Sequence, residues 1–206
     1  MAGTDVLIVY GAKHGQTEKV ARRIASRLGE RAIPVDAYSC PGVPVNLRPG
    51  AYGAAVVASP IHFGRHLRCI ERFARSHAAG LAATHGVFIS LSGAAMGKTP
   101  GSRAEAGGYL EDFASRTGWR ADRAVSLAGA VPYTRYGLIT RWVMKRISRS
   151  QGLSTDTSRD HEYTDWDVVD RLADELIVRL RGAPSPERVE RAPAIPRMRT
   201  PPARAV

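Results

Sequence analysis

The residues most suggestive of chemistry form a glycine-containing segment that follows the first apolar run of the chain. That run, residues 5–10, leads into a turn with Gly11 and Gly15, and apolar residues then recur at helical spacing. Backbone N–H groups at such a strand–turn–helix junction point outward, and the helix N-terminus carries partial positive charge. We therefore expect this turn to bind a phosphate group. The residues expected to contact the phosphate are Ala12, Lys13, His14, Gly15, Gln16 and Thr17.

The turn differs from two better-known phosphate-binding patterns. Its glycines, Gly11 and Gly15, do not form the GxGxxG dinucleotide fingerprint, and no Gly-Lys-Ser/Thr follows as in a P-loop. A receiver domain would need clustered acidic residues after the first strand, whereas Asp5 precedes the apolar residues of that strand and no such cluster follows it. The plain alternative is an ordinary strand–helix turn in which Thr17 caps the helix.

Two further segments have the composition of loops that hold a planar cofactor ring. After a third apolar run come Pro60, Ile61, His62, Phe63 and Gly64, and after a fourth come Leu91, Ser92, Gly93 and Ala94. A rigid proline, an aromatic residue and small residues allow close packing on a ring. His62 is a weak candidate for a proton donor; the alternative is an exposed loop histidine. His62 and His66 are spaced i, i+4 at an expected helix start, but no carboxylate completes a metal site, so none is expected.

The surrounding pattern predicts an α/β fold. Short apolar runs, typical of strands, alternate with segments of helical periodicity. The expected strands cover 5–10, 32–38, 53–58, 85–91 and 123–131, and the last helix covers about 165–181. Strands of this kind form a doubly wound parallel sheet covered by helices on both faces. Ligands bind such sheets at the carboxyl ends of the strands, where all three segments above would lie.

Composition narrows the protein class. The 206 residues include 30 Lys and Arg against 19 Asp and Glu, a net charge of +11. No apolar run is long enough to span a bilayer, and the N-terminus lacks a secretory pattern. The two cysteines, Cys40 and Cys69, are far apart in the sequence and form no CxxC pair, so we expect a reduced, cytoplasmic protein without a disulfide framework. The excess positive charge is consistent with binding to nucleic acid, to an anionic membrane or to an anionic ligand, or with a role in solubility alone.

Two segments depart from the regular alternation. Residues 132–163 form a connection too long for a simple loop, and Pro132–Ser150 carries five basic residues and no acid. Its apolar and basic residues at helical spacing predict an amphipathic helix for an anionic apolar ligand or a membrane surface; the alternative is a core-packed helix with a solvated basic face. The residues expected to contact substrate or membrane are Tyr133, Arg135, Tyr136, Arg141, Trp142, Lys145 and Arg146. Residues 182–206, with six of the thirteen prolines, are expected to form a disordered tail, leaving 1–181 as one domain.

The residues that carry these patterns resemble a known family. Tyr10, Gly11, Gly15, Thr17 and Glu18 resemble the FMN phosphate loop of flavodoxins. A second set resembles the insertion of the menaquinone-dependent protoporphyrinogen IX dehydrogenases, which are flavodoxin-like enzymes. That set comprises Gly129-Ala130, Tyr133, Arg135-Tyr136, Met144-Lys145, Thr155-Asp156-Thr157 and Tyr163-Thr164-Asp165-Trp166. The resemblance implies a five-stranded flavodoxin-like sheet of order 2-1-3-4-5 with FMN as cofactor.

The same resemblance implies an activity. Members of that family oxidise a porphyrinogen in haem biosynthesis and pass the electrons to a membrane quinone, so this chain would be an FMN-dependent oxidoreductase at the inner face of the cell membrane. Arg and Lys beside aromatic residues suit a macrocycle with carboxylates. The first alternative is a flavodoxin-like electron carrier or another FMN-dependent quinone reductase. The second is a basic nucleic-acid-binding protein, although no recognised nucleic-acid motif is present and we expect no nucleic-acid partner.

Overall fold

The computed structural model describes residues 5–11, 15–97, 99–131 and 161–182. The strands are β1 (Val6–Gly11), β2 (Val35–Cys40), β3 (Ala54–His62), β4 (Arg65–His66), β5 (His85–Ser92), β6 (Arg123–Ala128), β7 (Ala130–Val131) and β8 (His161–Glu162). The α-helices are α1 (Gln16–Gly29), α2 (Arg68–Ser76), α3 (Ala78–Ala82), α4 (Pro100–Thr117) and α5 (Trp166–Gly182). Short 3-10 helices cover Pro49–Ala51 and Ala94–Met96. Ala12, Lys13, His14, the predicted contact residues from 133 to 146 and the predicted tail beyond Gly182 lie outside the described residues.

Five parallel strands form the main sheet in the order β2-β1-β3-β5-β6. This is the predicted flavodoxin-like order, because β4 only adds a short antiparallel partner to β3. All six residues of β1 are buried, as expected for a strand covered on both faces.

The alternation of side chains along β1 divides the core into two layers. Val6, Ile8 and Tyr10 pack in a cluster with α1 and α5, while Leu7 and Val9 pack on the opposite face in a cluster with α2 and α4. The helices thus flank the sheet, and the carboxyl ends of β1, β3 and β5 meet at one edge.

The helix that follows β5 is delimited by local signals. Thr99 precedes it and accepts a hydrogen bond from the backbone N–H of Ser102 at 3.1 Å, and Pro100 occupies the first position. Gly118 ends it with a φ of 71°, the left-handed conformation that favours glycine.

Three strand boundaries differ from the prediction. β2 covers Val35–Cys40 rather than 32–38, since Ala32 has a φ of 58° and Pro34 precedes the strand. β3 continues past Ala58 to His62, where a loop was expected. The fifth predicted strand is divided at Gly129 into β6 and β7, and β7 pairs with β8 in a separate two-stranded sheet.

Charged pairs join the first and last helices. Arg23 pairs with Asp170 at 2.8 Å, and one helical turn further Arg27 pairs with Asp174 at 2.7 Å. Below them Val169, Leu172 and Leu176 of α5 are buried. Among the residues that the structure describes, no helix is both long and apolar enough to cross a membrane.

Candidate cofactor site

The start of α1 provides a site for an anion. Gly15 occupies the N-cap position with a φ of 88° and supplies no side-chain cap. Apart from its chain neighbours, no residue that the structure describes has an atom within 4 Å of the position that a Cβ would take at Gly15. The open N-terminus can therefore receive a phosphate on backbone N–H groups. Thr17 is buried and does not cap the helix, contrary to the plain alternative.

Gln16, predicted to contact the phosphate, uses its side chain elsewhere. Its Nε2 donates a hydrogen bond of 2.8 Å to Thr164 Oγ1, and that hydroxyl donates to the carbonyl of Ala128 at 2.9 Å. The chain of hydrogen bonds links the start of α1 to the end of β6. The Gln16 side chain also hydrogen-bonds Glu162, so the backbone N–H of Gln16 is the group left for a phosphate role.

Lys19 makes a second link to the same segment. Its Nζ lies 2.6 Å from Glu162 Oε2, and the other carboxylate oxygen of Glu162 accepts a hydrogen bond from Trp166 Nε1 at 2.9 Å. The Lys19 hydrogen bond is the main reason that the pKa of Glu162 lies below its ordinary value. Tyr163 N also donates to Gly129 O at 3.2 Å. Sequence reasoning missed these links, because nothing local marks Glu162 or Thr164 as partners of α1.

These links fix both ends of the predicted insertion. The described chain stops after β7 and resumes at β8, so these two strands flank residues 132–160. The two strands pair with each other, Ala130 with Glu162 and Val131 with His161. Glu162 contacts Lys19 on the first turns of α1. The root of the insertion therefore lies beside the predicted phosphate site.

The segment predicted as the first ring-flanking loop is a β-hairpin. Ile61 pairs with His66 and His62 with Arg65, which leaves Phe63 and Gly64 as a two-residue turn. Both turn residues have positive φ, 49° and 73°, as type I′ turns require. Pro60 is tolerated in β3 because the pairing with β1 ends at Ala58.

The hairpin presents an aromatic surface to solvent. Phe63 is 93% exposed, and its ring centroid lies 4.4 Å from that of His62. An exposed phenylalanine in a left-handed backbone conformation is uncommon and costs folding free energy. Such a residue suits a planar ligand that covers the ring when bound.

The two histidines of the hairpin have different environments. Residues 62 and 66 do not share a helix face as predicted; they point to opposite faces of the hairpin. His66 is 5% exposed, and its Nε2 lies 3.0 Å from Ser90 Oγ among the rings of Phe88 and Phe113. Burial lowers the pKa of His66 to about 4, so its imidazole is neutral at pH 7. His66 is therefore a structural group below the site, and His62 remains the histidine at its edge.

The third predicted segment follows β5. Leu91, Ser92 and Ala94 are buried, and Ser92 Oγ accepts a hydrogen bond from Ala95 N at 3.1 Å. Gly93 is exposed, and within the described part of the chain no atom other than those of its chain neighbours lies within 4 Å of the position of its absent Cβ. This turn can thus bring its backbone, rather than its side chains, against a planar ring. No cluster of His, Cys, Asp or Glu suited to a metal ion occurs in the described ranges.

Comparison with known proteins identifies the family. The flavodoxin domain family model matches residues 7–158. Protoporphyrinogen IX dehydrogenase [quinone] of Escherichia coli (strain K12) is 30% identical over 171 residues, covering 82% of this chain and 93% of that protein. A protein of the same name from Leishmania major is 24% identical over 177 residues, covering 82% of this chain and 73% of that protein. The Streptococcus pneumonia TIGR4 flavodoxin has a TM-score of 0.52 at 16% identity, covering 84% of this chain and 98% of that structure.

The matches agree with the geometry of the strand ends. The family match spans the predicted phosphate turn, the hairpin and the turn after β5. The similarity to the Escherichia coli protein extends over most of both chains, whereas the likeness to the solved flavodoxin concerns the fold alone. The chain therefore belongs to the flavodoxin domain family and, within it, groups with the proteins named protoporphyrinogen IX dehydrogenase [quinone], which makes it a flavodoxin-like oxidoreductase.

Proposed function

We propose that the chain binds FMN at the carboxyl ends of β1, β3 and β5, oxidises a porphyrinogen and delivers the electrons to a membrane quinone. The observation that carries the proposal is the attachment of the insertion to α1 through Gln16–Thr164 and Lys19–Glu162. Because of these contacts, Glu162 and Thr164, which follow the basic and aromatic-rich insertion, lie beside the open N-terminus of α1. The similarity to proteins named protoporphyrinogen IX dehydrogenase [quinone] supports the choice of substrate and acceptor.

Each part of the site has a proposed task. The backbone N–H groups of residues 15–17 would bind the phosphate, and the predicted contacts at Ala12, Lys13 and His14 are retained in the proposal. Phe63 and the backbone at Gly93 would pack against the ring and exclude water from it. His62, at the base of the hairpin turn, is a candidate to hold or release a proton. FMN, when bound, supplies the redox chemistry by accepting two electrons from the substrate and releasing them to the quinone.

The insertion is proposed to contact both substrate and membrane. Arg135, Arg141, Lys145 and Arg146 would bind carboxylates, by bidentate contact in the case of arginine, and Tyr133, Tyr136 and Trp142 would contact an apolar macrocycle. Basic residues near an anionic leaflet each contribute about 1 kcal/mol of attraction. An enzyme whose acceptor is dissolved in a bilayer needs such a contact.

Two measurements test the proposal in sequence. Purified chain is incubated with FMN, gel-filtered and examined by visible spectroscopy; retained flavin absorbance is expected, and a colourless protein would refute cofactor binding. The loaded protein is then given a porphyrinogen and a water-soluble menaquinone analogue without oxygen, and porphyrin fluorescence is followed. Flavin retention without quinone-dependent porphyrin formation would limit the conclusion to the fold and cofactor.

Membrane contact is tested separately with anionic liposomes. The variant replaces four basic residues by glutamine: Arg141, Lys145, Arg146 and Arg149. The matched control replaces four arginines of the predicted tail: Arg188, Arg191, Arg197 and Arg199. Weaker sedimentation with liposomes is expected for the first variant alone. Equal binding of both variants and the unmodified chain would contradict a membrane-directed insertion.

A further inference from the structure

The two cysteines, distant in sequence, meet beside the predicted phosphate turn. Cys40 is the last residue of β2 and pairs with Gly11, the last residue of β1. Cys69 is the second residue of α2, and its neighbour Ile70 packs on Gly11: the position of an absent Cβ at Gly11 is 3.2 Å from Ile70 Cγ1. The absence of a side chain at Gly11 thus lets the end of β2 and the start of α2 approach each other.

The side chains of the pair lie next to each other in the fold. A side-chain hydrogen-bond interaction between them shifts the pKa of both thiols, which makes the two sulfur atoms neighbours. Both residues pack against the same apolar cluster, and both are half-buried free cysteines. They are therefore close enough to react with each other and accessible enough for a small oxidant to reach them.

The environment divides the roles between the two thiols. The hydrogen bond from Cys40 is the main cause that lowers the pKa of Cys69 to about 7, and the N–H of Ile70 at the start of α2 also contributes. The same hydrogen bond and burial raise the pKa of Cys40. The Arg72 guanidinium, one turn along α2, favours the thiolate form at both positions. Cys69 also lies in the first turn of α2, where the partial positive charge of the helix N-terminus favours a thiolate, whereas Cys40 ends a strand. We therefore assign Cys69 as the nucleophile and Cys40 as the thiol that retains its proton.

We propose that Cys40 and Cys69 form a peroxide-reactive dithiol that closes to an intramolecular disulfide. The Cys69 thiolate attacks one oxygen of hydrogen peroxide; the O–O bond breaks, Cys69 becomes a sulfenic acid, and hydroxide leaves and takes up a proton as water. Cys40 then attacks the Cys69 sulfur, the S–O bond breaks, and a second water leaves with the proton of the Cys40 thiol. The two thiols lose two electrons in total, and the peroxide gains them.

The disulfide would cross-link β2 to α2 around the end of β1. The closed loop contains β3 and the Phe63 hairpin, so the bond would restrain the unfolded chain over a substantial segment. We expect oxidation to raise the melting temperature by roughly 5 °C or more. Both sulfurs lie on the side of the sheet that carries α2, away from the α1–α5 contacts.

The test uses the full chain, reduced with a phosphine, freed of it and treated with equimolar hydrogen peroxide. The expected product is a monomer that has lost both titratable thiols and two hydrogen atoms in mass. Digestion without reductant should release one peptide pair joined through Cys40 and Cys69, and dithiothreitol should restore both thiols. Intermolecular dimers, or a sulfinic acid on Cys69 with Cys40 still free, would overturn the proposal.

Two single variants separate the roles. In Cys40→Ser, Cys69 should form a sulfenic acid that dimedone traps, with no mass loss and no rise in melting temperature. In Cys69→Ser, the remaining thiol should react with peroxide at least about tenfold more slowly, because it lacks the thiolate character of Cys69. Equal rates for the two variants would contradict the assignment of Cys69 as nucleophile. Identification of the disulfide-linked peptides from the unmodified chain tests the main proposal even where a variant fails to fold.

Discussion

Gln16 and Thr164 are joined by a buried hydrogen bond of 2.8 Å although 148 positions separate them in the chain. Gln16 is the first residue of α1, directly after the predicted phosphate turn, and Thr164 lies between β8 and α5. In the proposed FMN site, this bond would make residues 162–164, where the chain returns from the insertion, part of the wall around the cofactor. Phosphate binding and the position of the insertion would then be coupled through the Gln16 side chain.

This coupling predicts that Thr164 affects FMN affinity without touching FMN. Thr164→Val removes the hydroxyl acceptor of the Gln16 amide, which keeps Glu162 as its other partner, so we expect a cost of about 1 kcal/mol of unfolding free energy. We expect Thr164→Val and Gln16→Ala to weaken FMN binding to a similar extent, measured by quenching of flavin fluorescence. Thr164→Ser keeps the hydroxyl and serves as the control. If Thr164→Val binds FMN like the unmodified chain, Gln16 acts independently of the insertion.

Alanine substitutions at Gly15 and Gly93 should have different effects on stability, because the two glycines differ in backbone conformation. Gly15→Ala places a side chain at a φ of 88° in open space, so its cost of about 1–2 kcal/mol is conformational. Gly93→Ala meets no atom within 4 Å and has a φ of −65°, so stability should change little. Urea unfolding of the free protein should distinguish the two variants.

The same pair has a second readout in cofactor affinity. We expect Gly93→Ala to weaken FMN binding by steric contact with the ring while leaving the unfolding curve in place. Gly15→Ala should weaken binding and stability together. Unchanged flavin affinity in Gly93→Ala would place the ring away from the turn after β5.

Replacement of Phe63 should maintain or raise stability but lower FMN affinity. Its φ of 49° belongs to a turn position that asparagine occupies readily, and its side chain is almost fully exposed. Phe63→Asn should therefore leave the free protein as stable or up to about 1 kcal/mol more stable. The variant should lose FMN affinity, because the ring loses its aromatic neighbour. Parallel thermal melts and flavin titrations test this, and undiminished affinity would remove Phe63 from the proposed site.

The sequence predicts the sheet well because buried parallel strands leave a direct signature. Residues 5–10 are an uninterrupted apolar run, and all of β1 is buried. Thr99 and Gly118 bound α4 through contacts with residues a few positions away, so helix ends of this kind depend on the local sequence. The order of the strands came from the family resemblance, since periodicity alone specifies elements and not their neighbours.

The hairpin and the links to the insertion could not be predicted in the same way. Pro60 and Gly64 are loop-forming residues in most settings. A strand can include Pro60 here because β3 stops pairing with β1 at Ala58. Gln16 and Thr164 are ordinary polar residues whose partnership depends on the tertiary structure. Cys40 and Cys69 meet for the same reason, after β2 and α2 have packed around Gly11.

His66 predicts a stability loss in mild acid. Its imidazole is neutral in the folded protein, with a pKa of about 4, whereas in the unfolded chain it titrates near the ordinary value of 6.5. Between these values the unfolded state binds the extra proton, so the contribution of His66 is complete above pH 6.5 and declines as the pH falls toward 4. The expected loss at pH 5 is about 2 kcal/mol relative to pH 7.

The variant His66→Asn isolates this effect from the carboxylates that also titrate in acid. Glu162 and Asp170 have pKa values held below the ordinary ones by Lys19 and Arg23, and their contribution also declines in acid. His66→Asn should be less stable at pH 7, because it loses ring packing on Phe88 and Phe113. Its unfolding free energy should nevertheless depend less on pH between 7 and 5 than that of the unmodified chain. Equal pH slopes for the two proteins would mean that His66 titrates normally in the folded state.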